Sequence, residues 1–434
     1  MSAGHALLAD RVRSFEAGLR LGQVTRISST YLEADGPDAP VGSMCLIENP
    51  AGEVLTTVVA IDRQKVVLAP LDAIGAVRLG ARVRLVGSSV RPLTGDAFLG
   101  RAVDGLGRPM DGGGEVRGEP GTSHAVGPLH RITPRAPVVT GLRSIDGLLA
   151  LARGQRIGVF AAPGVGKTTL LAQMAAQVDA DRTVICLVGE RGREVEALWS
   201  SGLGGAQGRT ALVAATSDET AAMRVQAVEQ ALALAERWRS DGHHVLLLLD
   251  SATRYAMALR EIGLAAGEPP TVRAYTPGVF SALPRLVERC GAVRSGGAIT
   301  AVMTVLSETD DVDDPITEVM KSLLDGHIVL SRRLAEQGRY PAVDIPRSIS
   351  RLASLVMSED HRGLAARALA SISDYEAART LVEAGVYAAG SNPQTDAAIR
   401  RRPALDAFLG QADGKSSPFT ATVAGLKRAL DDAE

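Results

Sequence analysis

The sequence RIGVFAAPGVGKTT, residues 156–169, decides the fold of this chain. It joins the apolar run RIGVF to the helical run TTLLAQMAAQV through a loop that carries two glycines and the pair Lys-Thr. A strand, a glycine-bearing loop and a helix in this order are typical of a phosphate-binding loop. The nucleotide-binding residues predicted from this stretch are Ala161, Ala162, Pro163, Gly164, Val165, Gly166, Lys167, Thr168 and Thr169.

The residue types of this loop match the chemistry of phosphate binding. Gly164 and Gly166 let the backbone turn so that its N–H groups face phosphate oxygens. Lys167 supplies a cation to the β and γ phosphates, and Thr168 offers its hydroxyl to Mg²⁺. Ala161 occupies the first position, where the common pattern has glycine. We expect a negative φ at this position, because a Cβ then costs little.

Two acidic residues end apolar runs and complete the predicted site. Asp250 ends HVLLLLD, and a carboxylate at the carboxyl end of such a strand helps to hold Mg²⁺ in phosphate-loop enzymes. Glu190 follows TVICLVG, which we expect to lie beside the strand of the phosphate loop. Its carboxylate is a candidate base for the attacking water. From the residues alone, a solvated surface cluster at 190–194 is a competing interpretation.

Histidine and cysteine do not form a predicted metal site. His243 and His244 open the run that ends in Asp250, and no further ligand has a suitable spacing, so we predict an exposed strand start. The three cysteines are far apart and odd in number, which favours neither a disulfide framework nor a zinc site. This usage is typical of a reducing cytoplasm.

Residues 136–357 predict an α/β fold with a mainly parallel sheet. Apolar strands alternate with helical segments in this region, as in successive βαβ units. The strand runs are continuously apolar, as expected for strands that are covered on both faces. These runs are RIGVFA, TVICLVG, HVLLLLD and AITAVMTVL.

The regions on either side have different patterns. Residues 22–88 contain six short β-rich runs separated by turn residues, which predicts a small barrel. Tyr31 is its single aromatic residue, so we interpret the barrel as an assembly collar rather than an oligonucleotide site. The Gly- and Pro-rich residues 104–121 predict a linker. The predicted domains are an amphipathic helix at 1–20, a β-barrel at 21–95, an α/β nucleotide-binding domain with its leading linker at 96–357 and a helical domain at 358–434.

Composition argues against two classes of function. The 434 residues carry 47 basic and 49 acidic side chains, so there is no global polycation that would hold nucleic acid by charge alone. No apolar run approaches the roughly 20 residues of a transmembrane helix.

Residues 6–20 predict a short amphipathic helix. We expect this helix to pack on its own protein, with a partner or a membrane surface as alternatives.

Together these stretches resemble one family closely, the type III secretion ATPases that drive flagellar and injectisome export. That family is related to the catalytic subunits of rotary ATP synthases. The resemblance covers nearly the whole chain and implies a RecA-like core with ATP and Mg²⁺ as cofactors. It is carried by LGRAVDGLGRPMDG (99–112), TGLRSIDGLL (140–149), GQRIGVFAAPGVGKTTLL (154–171), VGERGREV (188–195), LLLLDSATRYAMALREIGLAAGEPP (246–270), LLDGHIVLSR (323–332), YPAVDIPRSISR (340–351) and GSNPQTDAAIRRRPALDAFLGQ (390–411).

The resemblance implies a role for each residue that matches a family motif. Lys167 and Thr168 would bind phosphate and Mg²⁺, and Asp250 would complete the metal site. Glu190, in the family's GER motif, would be the base that polarises the lytic water. Arg191 beside it would position the γ-phosphate or its contacts across the interface between subunits.

Two further residues are implied at the edges of the site. Arg351, the last residue of SISR, matches the arginine finger that reaches the nucleotide of a neighbouring subunit. Tyr340, which opens YPAVDI, matches the aromatic residue that packs against adenine.

The family also implies partners and a location. The expected assembly is a homohexamer with a stalk-like coiled-coil protein in its central pore. A stator-like regulator would bind the N-terminal helix, and chaperone–substrate complexes would reach the ring beneath a membrane export gate. These expectations place the protein in the cytoplasm, peripherally at the inner membrane.

Three alternative functions make different predictions. A rotary ATP synthase subunit predicts paired chains that divide catalytic roles and an acidic lever motif in the helical domain. This chain instead carries Lys167, Glu190, Asp250 and Arg351 together, with no dense acidic motif between 358 and 414. A Rho-type translocase predicts aromatic residues in the barrel and basic pore loops, which the sequence lacks. A structural subunit without hydrolysis need not keep both the lysine and the glutamate.

The sequence resembles both branches of the family. GPDAPVGSMCLIE, AEQGRYPAVDIPRSISR and GSNP are more similar to the flagellar branch. IDGLL and FAAPGVGKTT are more similar to the injectisome branch. We favour the flagellar assignment.

Overall fold

A computed structural model describes residues 21–50, 52–62, 65–87, 89–121, 126–294, 296–307 and 314–431. The amphipathic helix predicted over 1–20 lies outside these ranges. The chain divides into two compact units. The first unit contains the residues up to Arg91 together with two later segments, Asp218–Val225 and Ala258–Gly278. The second unit contains the rest of the chain.

The first unit contains the six-stranded barrel that the sequence predicts. Its strands pair in the closed order β1-β2-β5-β4-β3-β6. Side chains alternate between the interior and the surface, and the interior is apolar, with Leu32, Ile47, Leu68 and Val83 fully buried. This alternation is typical of a small barrel that is filled by its own side chains. The strands are β1 Leu21–Ile27, β2 Leu32–Ala34, β3 Met44–Asn49, β4 Gly52–Asp62, β5 Lys65–Pro70 and β6 Arg82–Gly87.

The second unit is built on a mostly parallel sheet. Its main strands lie in the order β20-β19-β13-β18-β16-β14-β15-β8. All neighbours in this order are parallel except β19 and β20, which are antiparallel. The strands are β7 Leu93–Thr94, β8 Arg101–Val103, β9 Glu119–Pro120, β10 Arg131–Ile132, β11 Pro137–Val138, β12 Leu151–Ala152, β13 Arg156–Ala161, β14 Arg182–Glu190, β15 Thr210–Thr216, β16 His244–Asp250, β17 Gly291–Val293, β18 Ala298–Leu306, β19 Gly326–Leu330 and β20 Ile349–Ser350.

Helices follow the strands and then form a C-terminal group. Ser358 and Asn392 begin two of the C-terminal helices, because each side chain accepts a hydrogen bond from a backbone N–H of the first turn. The helices are α1 Arg143–Leu148, α2 Lys167–Gln177, α3 Gly192–Ala197, α4 Ala221–Ser240, α5 Ala252–Ala265, α6 Pro277–Glu288, α7 Pro315–Leu323, α8 Arg332–Glu336, α9 Ala353–Val356, α10 Glu359–Glu383, α11 Pro393–Leu409 and α12 Phe419–Asp431.

The C-terminal helices share one apolar core with the sheet. Helices α10, α11 and α12 pack on one another and on α1. Ile372, Phe408 and Leu426 are buried in the same cluster as Ile157 and Leu170. This continuous core fixes the position of the C-terminal helices relative to the phosphate loop. No helix within the described ranges is long and apolar enough to cross a membrane.

The Gly- and Pro-rich segment predicted as a linker is folded in its described part. Arg101 pairs with Asp111 at 2.7 Å and also donates to the carbonyl of Gly114. Further along, β9 pairs with β7. The segment is therefore held along the edge of the sheet by β8 and by its own hydrogen bonds.

The strand order corrects the prediction that the strand of Glu190 lies beside that of the phosphate loop. Strands β18 and β16 lie between β13 and β14. Pairing between parallel strands depends on crossover connections rather than on closeness in sequence, so the chain order of the strands does not predict their neighbours. Glu190 still reaches the site, because the side chain of Lys167 extends toward β16 and β14.

The exposed position predicted for His244 is also wrong. Its side chain is buried, with 4% exposed. Nδ1 lies 3.1 Å from the carbonyl of Asp179, and Nε2 lies 2.8 Å from the hydroxyl of Thr300. A carbonyl only accepts, so Nδ1 carries the proton of the neutral ring. His243, one residue earlier, is partly exposed.

Candidate nucleotide site

The phosphate loop joins the end of β13 to the start of α2. Gly164 and Gly166 have φ angles of 80° and 90°, which a side chain would strain. Ala161 is the last residue of β13 and pairs with Leu306 and Leu330 on either side. It is not among the described residues with positive φ, which confirms the expectation that this position tolerates a Cβ.

Lys167 connects the two carboxylates that the sequence singled out. Its Nζ lies 2.5 Å from Oδ1 of Asp250 and 3.2 Å from Oε1 of Glu190. Asp250 and Glu190 are the last residues of β16 and β14, so both side chains lie at the carboxyl edge of the sheet. All three side chains are largely buried. The competing interpretation of Glu190 as a solvated surface charge is therefore wrong.

Burial and charge act in opposite directions on this cluster. Burial raises the pKa of Asp250, and the charge of Lys167 together with a hydrogen bond from Thr304 offsets only part of that effect. Burial acts to lower the pKa of Lys167, but the charges of Asp250 and Glu190 outweigh it and the pKa is raised. The lysine is therefore charged at neutral pH and can exchange its carboxylate partners for phosphate oxygens.

Two residues of this site escaped the sequence analysis. Thr304 donates to Oδ1 of Asp250 at 2.6 Å, but it lies within the apolar run AITAVMTVL and gives no local signal. Arg254 packs its side-chain carbons against Gly189, since a Cβ on that glycine would lie 3.3 Å from them. Arg254 lies in the first turn of α5, four residues after Asp250, and this closeness in sequence to Asp250 could have identified it.

Tyr340 borders a cavity large enough for a nucleoside. A Cβ on Gly166 would lie 3.4 Å from Cε1 of Tyr340, so the ring lies beside the phosphate loop, and 45% of the residue is exposed. The cavity has a volume of about 730 Å³. Thr169 and Leu170 line it from α2, and Gln411 and Asp413 line it from the C-terminal segment. The geometry agrees with a base-stacking role for Tyr340.

Arg191 and Thr168 are more open than the buried cluster. Arg191 is exposed and lies 4.0 Å from Glu194. The Thr168 residue is also exposed, one residue beyond Lys167 at the start of α2. Both remain available to a ligand at the mouth of the site.

Arg351 lies at the amino ends of the parallel strands, whereas the phosphate loop lies at their carboxyl ends. We call these two sides the amino edge and the carboxyl edge of the sheet. Its N–H donates to the carbonyl of Asp325, and the N–H of Asp325 donates to the carbonyl of Arg156, the first residue of β13. The loop begins after Ala161, five residues further, which is about 16 Å along a strand. Arg351 is exposed, and its Nη2 donates only to the carbonyl of Lys321 among the described residues. It therefore does not join the Lys167 cluster of its own chain.

Comparison with known proteins agrees with this architecture. The model of the "ATP synthase alpha/beta family, nucleotide-binding domain" matches residues 141–350, and that of the "T3SS EscN ATPase C-terminal domain" matches residues 357–428. The flagellum-specific ATP synthase of Pseudomonas aeruginosa is 44% identical over 94% of this chain and 93% of its own. The chain belongs to the type III secretion and flagellum-specific ATPases. The C-terminal match separates this ATPase from the rotary synthase alternative.

Both branches of the family contain close relatives of this ATPase. The SPI-2 type 3 secretion system ATPase of Salmonella typhimurium is 43% identical over 91% of each chain. The structure of the assembled ATPase EscN from enteropathogenic E. coli has a TM-score of 0.88, 38% identity and coverage of 94% of this chain and 100% of its own. EscN has also been solved in complex with its central stalk EscO, at a TM-score of 0.84, 37% identity and the same coverage.

The oxygen donors of this ATPase fit Mg²⁺. Asp250 offers a carboxylate, and Thr168 offers a hydroxyl. Mg²⁺ prefers hard oxygen ligands and usually binds through one or two protein groups together with phosphates and water. The described residues contain no cluster of three His, Cys, Asp or Glu side chains suited to a metal.

Proposed function

We propose that this ATPase hydrolyses Mg²⁺–ATP in a homohexameric ring and uses the energy for export through a type III apparatus, the flagellar one in preference to the injectisome. The observation that carries the proposal is the separation of Lys167 and Arg351 at opposite edges of one sheet. A chain with this arrangement needs a second copy to bring Arg351 to its nucleotide.

Binding of ATP begins with exchange of partners at Lys167. Its Nζ leaves the carboxylates of Asp250 and Glu190 for the β and γ phosphate oxygens. Backbone N–H groups between Ala162 and Lys167 add hydrogen bonds to the same phosphates. Tyr340 packs on the adenine in the adjacent cavity. Glu190 therefore loses its contact with Lys167 only when a phosphate has taken its place beside the lysine.

Hydrolysis then uses the freed carboxylate. Glu190 accepts a proton from water while the water oxygen attacks the γ phosphorus and the bond to the β–γ bridging oxygen breaks. Thr168 and Asp250 would hold Mg²⁺, whose charge would neutralise the phosphate oxygens. Arg191 positions the γ-phosphate, and Arg351 of a neighbouring copy stabilises the charge on the leaving groups.

The remaining partners follow from the same proposal. EscN forms a complex with a central stalk, EscO, and we infer that a stalk-like coiled-coil protein occupies the pore of this ring. A stator-like regulator, an export gate and chaperone–substrate complexes complete the assembly, which works in the cytoplasm at the inner membrane.

Hydrolysis by the purified protein tests the proposed chemistry. Mg²⁺-dependent release of phosphate from ATP is expected, and Lys167→Ala should abolish it with most of the nucleotide affinity, because the charge-assisted phosphate contacts disappear. Undiminished ATP binding by Lys167→Ala would contradict the loop assignment. Deletion of the gene, scored for motility and for effector secretion, tests the flagellar assignment, which loss of secretion with normal motility would overturn.

A further inference from the structure

Thr304 lies on the strand between the one that leads into the phosphate loop and the one that ends in Asp250. It lies on β18, which pairs with β13 on one side and β16 on the other. Thr304 pairs with Val159 of the phosphate-loop strand. The register of Leu249 with Met303 places Thr304 directly opposite Asp250. Its side chain is fully buried.

The Thr304 hydroxyl has one proton and two acceptors within reach. Oδ1 of Asp250 lies at 2.6 Å and the carbonyl of Leu249 at 3.4 Å. The shorter distance assigns the proton to the carboxylate, since hydrogen bonds between a hydroxyl and a carboxylate are about 2.5–2.7 Å long. A β-branched side chain in a strand has few χ1 rotamers, so the direction of this hydroxyl is fixed by its own strand.

Asp250 accepts hydrogen bonds from two side chains, of which one is mobile under the proposed function and the other is not. Lys167 and Thr304 both donate to Oδ1, whereas Oδ2 accepts no hydrogen bond in the part of the chain described by the structure. Under the proposed function the lysine leaves for the phosphates when ATP binds. The bond from Thr304 is then the contact that still determines the rotation of the carboxylate.

We propose that Thr304 is a positioning residue that orients Asp250 toward the metal ion in the nucleotide-bound state. It holds Oδ1 against β18, so that Oδ2 faces the loop. Without the hydroxyl, the carboxylate rotates freely once Lys167 has moved. This inference rests on the proposed Mg²⁺–ATP chemistry and adds a residue that contacts neither nucleotide nor metal.

The test compares three variants with the wild-type protein. Thr304→Val keeps the shape and removes the donor, whereas Thr304→Ser keeps the donor. Thr300→Val is the matched control, because Thr300 lies on the same strand, is equally buried and bonds to Gly154 and His244 rather than to the site. Turnover is measured beside the affinity of the ADP-bound protein for Mn²⁺, followed by electron paramagnetic resonance.

We expect Thr304→Val to lower both kcat and Mn²⁺ affinity by about tenfold to a hundredfold, the range for loss of a hydrogen bond to a charged group. Its KM for ATP should change much less. Thr304→Ser should recover most of both losses. Thr300→Val should lose stability but keep kcat and Mn²⁺ affinity.

The outcomes separate this inference from the proposed function. If wild-type protein is active and Thr304→Val matches Thr300→Val in both measurements, Thr304 has a structural role alone and the inference is wrong. If wild-type protein does not hydrolyse ATP, the proposed function fails instead. Should Thr304→Val not fold, Thr304→Cys replaces it, because a thiol has a similar volume and is a weaker donor.

Discussion

The two edges of the central sheet hold their charges in different ways. At the carboxyl edge, Lys167 is buried and paired with Glu190 and Asp250. At the amino edge, Arg351 is exposed and forms hydrogen bonds to backbone carbonyls. Its neighbour Arg156 pairs with Asp325 at 3.0 Å, so the nearby carboxylate already has a partner.

Under the proposed function, one chain carries both parts of a catalytic site without completing it. The lysine and the carboxylates stabilise one another until a nucleotide arrives. The arginine is held in place by its backbone, while its guanidinium has no ion pair within the described ranges. Such an arrangement favours catalysis between copies, because the missing cation lies on the opposite edge of each sheet.

The largest expected effect breaks the contact between copies. Arg351→Ala should lower turnover by about 10³- to 10⁵-fold, the range for an arginine that stabilises phosphoryl transfer, and should keep nucleotide binding. Mixing it with Lys167→Ala should restore partial activity when subunits exchange, because some interfaces combine an intact loop with an intact arginine. Arg332→Ala, at another exposed arginine, is the control. Inactive mixtures with proven co-assembly would show that Arg351 acts within its own chain.

The next effect separates chemistry from binding at the carboxyl edge. Glu190→Gln should lower turnover by about 10²- to 10⁴-fold, because the amide cannot accept the proton of water. Nucleotide affinity, measured by calorimetry, should be unchanged. Glu194→Gln is the matched control in the same segment. Turnover of Glu190→Gln within about threefold of the wild type would assign the water-orienting role to Glu194.

A smaller effect is expected at the base cavity. Tyr340→Ala should raise KM for ATP about tenfold, in line with the loss of base stacking, and should leave kcat nearly unchanged, because the contact is equal in the ground and transition states. Tyr340→Phe keeps the ring and should behave as the wild type. An unchanged KM for Tyr340→Ala would mean that the ring packs on protein alone.

The effect that is smallest at neutral pH concerns the amino edge and appears only in acid. Burial, with the charge of Arg153, lowers the pKa of His244 from 6.5 to about 4. The unfolded chain therefore binds a proton below pH 6.5 that the folded chain does not bind until about pH 4. The free energy of unfolding should fall by about 3 kcal/mol across that window as pH decreases, and stability above pH 6.5 should be unaffected by this group.

His244→Gln tests this contribution by denaturant unfolding at several pH values. The slope of stability against pH between pH 4 and 6.5 should be smaller in the variant than in the wild type. ATP hydrolysis at neutral pH should persist, since His244 contacts Asp179 and Thr300 rather than the site. Equal slopes would show that another group dominates the acid sensitivity.

The local parts of this molecule were predictable from sequence. The phosphate loop combines a strand end, two glycines and a helix start within fourteen residues, residues 156–169, and such short-range patterns determine local backbone geometry. Asp250 and Glu190 were predictable as strand ends because the apolar runs before them stop at a carboxylate. The six strands of the barrel were visible from their turn residues.

Which strands lie side by side could be learned only from the tertiary structure. Strands β18 and β16 separate β13 from β14, and that order places Thr304 against Asp250 and buries His244 beside Thr300. The sequence by itself determined which groups are candidates for the chemistry, since Lys167, Glu190 and Asp250 each belong to a local motif. Only the folded sheet decided which of them meet and which lie at opposite edges, because strand pairing joins residues that are distant in sequence.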